Sequence, residues 1–260
     1  MTEDFPMKDQ DLQELFLLKY SRPNGMGWGP RLRRRFNYYT PDDYYEAMVS
    51  KLVQAGCAWA DLGCGREIFP DNRTSAQILA DRCDILVGVD PDITLEENNL
   101  VHQRVRSSIE DFQTDQTFSL VTLRMVAEHI ADPDRTLQAL SRITRPGGKV
   151  VVFTVNQWTP LALLARFIPF RFHHAIKKFI WKTEEKDTFP VAYRMNSRKQ
   201  LAKLFLKYDF KERYFAYLDD CRTSFRFRLG QLAELSLWRT LKLVGLRYPE
   251  NCLLGVYERL

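Results

Sequence analysis

Two acidic residues, each at the end of an apolar segment, are the first candidates for chemistry. Asp61 ends the segment AWAD and is followed by Gly63 and Gly65, and Asp90 ends the segment ILVGVD. Glycine lets a backbone turn tightly and approach a ligand, and a carboxylate can accept two hydrogen bonds from a ribose diol. The spacing therefore predicts a nucleoside-cofactor site. The third glycine of a dinucleotide-binding fingerprint would fall on Ile68, so that fingerprint is incomplete.

A second pair of candidates follows an apolar segment further along the chain, where Glu128 and His129 precede Asp132-Pro133. His129 is the candidate general base, because the unperturbed pKa of histidine is about 6.5. The alternative is a structural histidine packed beside the cofactor and hydrogen-bonded to backbone. Glu128 is expected to orient its neighbours rather than to remove a proton.

Alternating strands and helices are predicted to position these residues. The predicted strands are 57–62, 85–90, 101–106, 118–124, 148–155, 210–218 and 251–258. The predicted helices are 74–82, 134–143, 197–207 and 226–244, with a short helical turn at 108–112. This alternation predicts an α/β fold with a parallel sheet and helices on both faces. Such sheets bind ligands at the carboxyl ends of their strands, where the strand order switches.

Two further regions flank or interrupt this pattern. Residues 1–56 are predicted to form an N-terminal helical preamble that covers the cofactor site. It has a short amphipathic helix around Leu12–Lys19, a glycine-rich loop at 24–30, a basic run at 31–35, and a helix from the cap Thr40 to about Ala55. Residues 157–195 lie where a strand-to-helix connection belongs, and are predicted to form an inserted α-helical cap over the substrate.

Five motifs in fixed order carry a family resemblance. They are DLGCG (61–65), VGVD (87–90), IEDF (109–112), VAEHIADPDRTL (126–137) and RPGGKVVV (145–152). Across about residues 57–156 the chain resembles the class I S-adenosylmethionine-dependent methyltransferases, and EHI followed by DP is most similar to the small-molecule O-methyltransferases, including those of quinone biosynthesis. The resemblance implies a Rossmann-like, mostly parallel seven-stranded sheet whose last strand, LLGVYERL, runs antiparallel.

The same resemblance implies the cofactor S-adenosyl-L-methionine, with S-adenosyl-L-homocysteine as product, and a set of residues around it. Asp61 would support the amino group, the glycine turn would pass beneath the methionine, Asp90 would hold the ribose and the residues after the fourth strand would line the sulfonium. The expected cofactor-binding residues are Asp61, Gly63, Cys64, Gly65, Asp90, Pro91, Ser108, Ile109, Leu123, Arg124, Met125 and Val126. Two departures stand out: Glu67 replaces the usual third glycine, and Ser108 replaces the usual acid beside the adenine.

The expected acceptor is a small molecule or a lipid-linked compound, methylated on oxygen by in-line displacement. Carbon or nitrogen transfer, and a catalytically silent binding or regulatory subunit, remain alternatives. Candidate substrate contacts are Tyr38, Tyr39, His173, His174, Tyr193, Arg194 and Asn196. The alternative for the two histidines is a surface role, and for Tyr38 and Tyr39 it is a solvated basic helix or loop. No metal site is expected, since the five cysteines form no CxxC pair.

The composition limits the classes of partner and the cellular location that can be expected. The net charge of +5 is mild and the basic residues are scattered, so no nucleic-acid partner is expected. An odd number of cysteines and an acidic, polar N-terminus fit a cytoplasmic protein without a secretory signal. The sequence contains no run of about 18 apolar residues, so no membrane-spanning helix is predicted. The cap and residues 225–248 are rich in aromatic, aliphatic and basic residues, so peripheral contact with the inner membrane face is the alternative to a lid. The sequence does not indicate an oligomeric state.

Overall fold

A single seven-stranded sheet organises the chain. The structure, a computed structural model, describes residues 7–21, 25–167 and 191–260. The strands, in chain order, are β1 (Cys57–Leu62), β2 (Cys83–Val89), β3 (Gln103–Val105), β4 (Phe118–Arg124), β5 (Thr144–Val155), β6 (Phe210–Asp219) and β7 (Asn251–Arg259). Their spatial order is β3-β2-β1-β4-β5-β7-β6, and β7 is antiparallel to both of its neighbours. The predicted mostly parallel sheet with an antiparallel last strand is confirmed.

Helices cover both faces of this sheet. They are α1 (Asp9–Tyr20), α2 (Trp28–Phe36), α3 (Pro41–Leu52), α4 (Arg73–Ala80), α5 (Pro133–Ile143), α6 (Pro160–Phe167), α7 (Arg198–Lys207) and α8 (Arg228–Leu243). Leu137 of α5 and Phe205 of α7 belong to the core on one face, whereas Met48 of α3 and Leu79 of α4 belong to the core on the other. The central strands are buried from both sides, which explains why they read as nearly continuous apolar runs.

Two of the boundaries that differ from the sequence prediction are the starts of α2 and β5. The glycine-rich segment predicted as a loop through Pro30 enters α2 at Trp28, and the basic run continues that helix. Proline is tolerated here because the N–H groups in the first turn of a helix have no intrahelical acceptor, so a missing N–H costs no hydrogen bond. β5 begins at Thr144 rather than at 148, because a register shift against β4 and the positive φ of Gly147 (74°) take the RPGG turn into the strand.

Buried ion pairs bind the first three helices to one another. Lys19 of α1 lies 2.6 Å from a carboxylate oxygen of Glu46 in α3. Arg33 of α2 lies 3.1 Å from Asp43 in α3. The ring of Tyr45, also in α3, stacks on Phe153 of β5 with centroids 5.1 Å apart. Because removing one partner of a buried ion pair is strongly destabilising, these contacts fix the N-terminal helices against the sheet.

Two connections depart from a minimal sheet-and-helix arrangement. The cap predicted at 157–195 begins with α6, and its residues 168–190 lie outside the described part of the chain. The connection between β6 and β7 carries α8, whose inner face buries Leu235 and Trp238 in a small core with Leu32 of α2. Among the described helices, none has the length and apolar character needed to cross a bilayer.

Candidate active site

The turn after β1 lies at the switch in strand order, between β2 on one side and β4 on the other. Gly63 and Gly65 both have positive φ, 69° and 49°. A Cβ on Gly63 would lie 2.3 Å from Cγ2 of Val126, in the segment after β4. A Cβ on Gly65 would meet nothing within 4 Å. The first glycine is therefore required by close packing, whereas the second faces open space at the sheet edge.

Asp90 follows β2 and holds this turn. One carboxylate oxygen accepts a hydrogen bond from the backbone N–H of Gly65 (2.9 Å), and the other accepts from the N–H of Asp92 (2.8 Å). The side-chain amide of Asn98 donates to the carbonyl oxygen of Gly65 (3.3 Å). A carboxylate has about four lone-pair sites, so each oxygen of Asp90 can still accept from a ligand beside the glycine turn.

Asp61, at the end of β1, is buried beneath the turn with 2% of its surface exposed. Its Oδ1 accepts from the hydroxyl of Thr122 (2.6 Å), which accepts in turn from the indole N–H of Trp59 (2.7 Å). Burial raises the pKa of Asp61 to about 7, although the Thr122 hydrogen bond and Arg124 oppose that rise. A cationic group placed beside this carboxyl would favour its ionised form.

The segment after β4 faces the turn from the other side. Leu123 is fully buried in the core, and Val126 packs against Gly63. Met125 has a positive φ of 52°, and its N–H donates to the carbonyl oxygen of Phe153 (2.7 Å). This left-handed residue redirects the chain at the carboxyl end of β4, so that the next residues lie along the sheet edge.

Arg124, the last residue of β4, is held in an ion network. Its guanidinium lies 2.5 Å from Asp42 of α3, and Arg222, after β6, binds the second oxygen of the same carboxylate. Burial by itself would raise the pKa of Asp42, but the two arginines hold that pKa well below its usual range. Asp220 pairs with Arg222 at 2.5 Å. The network joins α3, β4 and the β6–β7 connection at the predicted site.

Glu128 and His129 lie on the segment that follows. Glu128 is buried, and its carboxylate accepts from the hydroxyl of Thr154 at 2.7 Å. Its carbonyl oxygen accepts from the N–H groups of Ala192 (2.7 Å) and Tyr193 (3.2 Å), the residues that leave the cap. His129 is half-buried, and its backbone N–H donates to the carbonyl oxygen of Val126. Glu128 thus joins the end of the cap to the sheet edge.

The predicted adenine side is formed by the turn after β3. The hydroxyl of Ser108 donates to Asp111 at 2.8 Å, and Ile109 is buried in the core. Pro91, beside Asp90, is exposed. Cys64 is buried, and this burial raises the pKa of its thiol. In the turn after β3, Ser108 is therefore half-buried near the surface and Ile109 lies in the core; in the turn after β1, Cys64 is buried.

Two of the predicted substrate residues lie on the N-terminal side. The Tyr38 hydroxyl donates to the carbonyl oxygen of Asp219 (3.0 Å) and accepts from the N–H of Cys221 (2.8 Å). Tyr38 is buried in the core between α2 and α8, so its hydroxyl is engaged within the protein. Tyr39 is half-buried and contacts the ring of Phe16 edge-on.

The remaining substrate candidates belong to the cap. Asn196 is buried, and its amide donates to the hydroxyl of Thr154 (2.8 Å). Arg194 is exposed and donates to the carbonyl oxygen of Ala131 (2.7 Å), and Tyr193 has a positive φ of 52°. The two histidines of the cap lie outside the described residues and are His173 and His174.

Sequence reasoning missed four residues that shape this edge. Asp42 was predictable only as an acid in the first turn of α3, and its ion pairs depend on distant residues. Thr122 occupies a strand interior, and Asn98 ends a short 3-10 helix, Ile93–Glu97. Arg222 follows β6 with no local signal. Within the described ranges, no cluster of three or more potential metal ligands occurs.

Glu67, which stands where the family resemblance predicts a third glycine, has an exposed side chain. It lines a shallow pocket that also includes Arg73 and Asn98. The neighbouring Arg66 lies 3.8 Å from Glu97. The Glu67 carboxylate therefore has room on the solvent side of the glycine turn.

Comparison with known proteins relates this geometry to a family. A family model described as a methyltransferase domain matches residues 15–212. The ubiquinone biosynthesis O-methyltransferase of Xanthomonas oryzae pv. oryzae is 35% identical over 156 residues, covering 55% of this chain and 63% of that protein. The protein of the same description from Xanthomonas axonopodis pv. citri is 33% identical over 153 residues, covering 54% and 63%. These matches span less than two thirds of the relatives' own length.

Solved structures show the same fold. The geranyl diphosphate C-methyltransferase of Streptomyces coelicolor A3(2), determined with Mg²⁺, geranyl diphosphate and S-adenosyl-L-homocysteine, has a TM-score of 0.53 at 16% identity and covers 84% of this chain and 79% of its own. The N-methyltransferase NodS of Bradyrhizobium japonicum WM9, in complex with S-adenosyl-L-homocysteine, has a TM-score of 0.50 at 13% identity, covering 96% and 97%. Since the family model matches more than half of the chain, the protein belongs to the methyltransferase domain family, with the fold of the class I S-adenosylmethionine-dependent methyltransferases.

Proposed function

We propose that the protein transfers a methyl group from S-adenosyl-L-methionine to a hydroxyl of a small-molecule or lipid-linked acceptor. The observation that carries the proposal is the open space at Gly65, whose backbone N–H binds a carboxylate oxygen of Asp90, at the same sheet edge where the buried Asp61 ends β1. Family membership supports the reaction class. Relatives described as ubiquinone biosynthesis O-methyltransferases support oxygen as the acceptor atom.

The donor set fits this cofactor, which when bound supplies a methyl group already activated on a sulfonium. Asp90 retains acceptor capacity for a ribose diol. Asp61, with its raised pKa, suits a neighbouring ammonium, which would lower that pKa again. Gly65 presents no Cβ and lets a ligand approach the backbone. Ser108 would accept from an exocyclic amine.

The remaining chemistry is alignment of the acceptor and removal of its proton. We assign the base role to His129, because it is half-buried on the segment between the sheet edge and the cap. Glu128 is a positioning residue, since its carboxylate binds Thr154 and its carbonyl oxygen binds the end of the cap. The N-terminal preamble and the cap, residues 157–195, would cover the cofactor and the acceptor respectively, and the cap could also contact the inner membrane face.

Calorimetric titration with S-adenosyl-L-homocysteine tests the cofactor assignment. Replacing Asp90 with Asn removes a charged acceptor and should weaken binding by about 10- to 100-fold, since hydrogen bonds to charged groups contribute about 1.5–3 kcal/mol. Asp84→Asn is the matched control, because Asp84 is an exposed carboxylate near the other end of the same strand. Absence of binding by the unmodified protein at high micromolar ligand would refute the assignment, as would equal losses in the two variants.

An acceptor screen with mass detection of methylation then identifies the substrate and the acceptor atom. With an acceptor in hand, His129→Ala should lower turnover by about 10²- to 10⁴-fold, the range for general base catalysis. Affinity for S-adenosyl-L-homocysteine should stay unchanged. If affinity falls as much as turnover, His129 has a structural role. Methylation only on nitrogen or carbon would overturn the choice of oxygen.

A further inference from the structure

The surface formed by α2 and by residues 225–247, here called the α2–α8 surface, combines exposed aliphatic side chains with exposed cations. Leu229 and Leu243 of α8 are 82% and 79% exposed, and Phe227 is 71% exposed. Val244 and Leu246, just after the helix, are also more than half exposed. Isolated exposed leucines are common on protein surfaces. Five large apolar residues concentrated on one helix and its two ends are not.

The outward apolar residues of α8 are not needed for its packing. The inner face buries Gln231, Glu234, Leu235 and Trp238, which recur at the spacing of one helical face. Leu229 and Leu243 project from the opposite side, as their exposure shows. The helix therefore has a packed inner stripe that serves the fold and an outer apolar stripe that is largely exposed in the described part of the chain.

Cations lie along the seam between the two helices. The guanidinium of Arg228 lies 5.5 Å from the ring centroid of Trp28, and that of Arg239 lies 5.9 Å from Phe36. These contacts orient α8 cations over aromatic rings of α2. Further exposed cations of the surface are Arg31, Arg34, Arg35, Arg226, Lys242 and Arg247.

Residues 25–39 and 221–247 contribute no exposed carboxylate to this surface. Residues 25–39 contain no acidic residue, and residues 221–247 contain one, Glu234. Glu234 is buried, accepting hydrogen bonds from the N–H of Ser224 (2.9 Å) and the hydroxyl of Tyr248 (3.0 Å). The exposed charges of these residues are therefore all positive. The half-buried carboxylate of Asp219 in β6, which accepts from the indole N–H of Trp238 (2.8 Å), lies beside Lys242 and Arg247.

The foot of the cap lies next to the end of the same connection. The N–H of Leu161, in α6, donates to a carboxylate oxygen of Glu250 at 2.7 Å. Trp158 and Leu164, at this foot, are 63% and 56% exposed. Exposed apolar side chains thus occur on both sides of the contact between the cap and the β6–β7 connection.

We propose that the α2–α8 surface docks on an anionic lipid bilayer. The helix α8 would lie in the interface, with Leu229 and Leu243 at the acyl boundary and the cations of α2 and α8 among lipid phosphates. The combination favours a bilayer over a nucleic acid, because a nucleic acid uses the cations and has no use for a row of aliphatic side chains. The benefit of docking rests on the proposed function, since it would bring the enzyme to a lipophilic acceptor.

Flotation of the full chain with vesicles tests this proposal. The protein should float with phosphatidylcholine vesicles that contain phosphatidylglycerol and stay behind with phosphatidylcholine alone, and added salt should release it. Arg34→Gln with Arg35→Gln should weaken binding by about fivefold per cation, from about 1 kcal/mol for each basic residue at an anionic surface. Leu229→Ser with Leu243→Ser should weaken it by about tenfold or more.

Matched controls come from α7, which packs on a different core. Lys199→Gln with Lys203→Gln removes two exposed cations, and Leu206→Ser removes a leucine that is 70% exposed. These variants should bind vesicles like the unmodified protein. All the exchanged side chains are exposed, so circular dichroism and thermal unfolding should match across the series.

Several results would overturn the proposal. They are no flotation on anionic vesicles, equal binding by all variants, or equal losses in the α7 controls. Binding to a single-stranded oligonucleotide that depends on Arg34 and Arg35 but not on Leu229 and Leu243 would assign the surface to nucleic acid instead. Titration with S-adenosyl-L-homocysteine is independent of the flotation and oligonucleotide-binding experiments. Flotation without cofactor binding would refute the proposed function alone, and cofactor binding without flotation would refute the docking surface alone.

Discussion

Alanine substitutions at the two glycines of the turn after β1 should separate fold stability from cofactor binding. An alanine in place of Gly63 must adopt a φ of 69°, which costs roughly 1–2 kcal/mol for a residue with a Cβ. Its methyl would also lie 2.3 Å from Cγ2 of Val126, far inside contact distance. Overpacking of this kind adds about 1–3 kcal/mol. The expected loss is about 2–5 kcal/mol, a large part of a typical stability of about 5–15 kcal/mol.

Gly65→Ala is the matched comparison. Its φ of 49° imposes a similar conformational cost of about 1–2 kcal/mol, but the new methyl meets no atom within 4 Å. The fold should therefore tolerate this change. The same methyl would project into the space proposed for the cofactor, so affinity for S-adenosyl-L-homocysteine should fall about tenfold or more, equivalent to at least about 1.4 kcal/mol.

Urea unfolding monitored by tryptophan fluorescence measures the stabilities, since Trp59 of β1 is fully buried and its indole N–H binds Thr122. Combining Gly63→Ala with Val126→Ala removes both methyl groups nearest to the new Cβ and leaves the Val126 Cβ at 3.4 Å, an ordinary contact. The double variant should recover the steric part of the loss and keep the conformational part. The reasoning fails if Gly65→Ala is as destabilising as Gly63→Ala, or if the cofactor binds Gly65→Ala normally.

Two further predictions concern carboxylates at this edge. Burial raises the pKa of Asp61 to about 7, so the ionised fraction of this carboxyl increases as pH rises through 7. Affinity for S-adenosyl-L-homocysteine should therefore increase from pH 6 to pH 8. Calorimetry on Asp61→Asn should show a weaker dependence of this affinity on pH. Asp42, whose pKa Arg124 and Arg222 depress despite burial, should contribute stability at neutral pH that is lost as pH falls below about 4 toward its folded pKa. Asp42→Asn should lower the free energy of unfolding by about 3 kcal/mol, measured by urea unfolding at pH 7. Asp134→Asn is the control and should cause no measurable change, because the ion pair of Asp134 with Lys207 is exposed.

Much of the sheet was predictable because its determinants are local. Each central strand is a short apolar run that ends at a polar or glycine residue, and the alternation with helices fixes the topology. The predicted limits of β1 and β4 equal those observed, Cys57–Leu62 and Phe118–Arg124. The positions of Gly63, Gly65 and Asp90 directly after strands β1 and β2 were predictable for the same reason, because the end of a strand is set by the adjacent sequence.

The start of α2 and the ion networks were not predictable, because their causes are distant in sequence. Glycines at 25, 27 and 29 argue for a loop, yet α2 starts at Trp28, where the aromatic ring packs beneath a cation from α8. Arg33 is surrounded by exposed arginines in the same run, and its burial depends on Asp43 in the next helix. Side-chain partners that lie on other elements leave no periodic signal in a single sequence.

The Asp42 carboxylate shows how the additions to the sheet are related to the candidate site. One oxygen binds Arg124 at the end of β4, and the other binds Arg222 at the start of the connection that carries α8. That connection packs on α2, and α2 is bound to α3 through Arg33 and Asp43. The preamble and the α8 connection therefore form one structural unit that ends at the carboxyl edge of β4. A variant that weakens the packing of this unit should alter the geometry beside Met125 and leave the glycine turn unchanged. Stability and cofactor affinity must therefore be measured separately for every residue of the network.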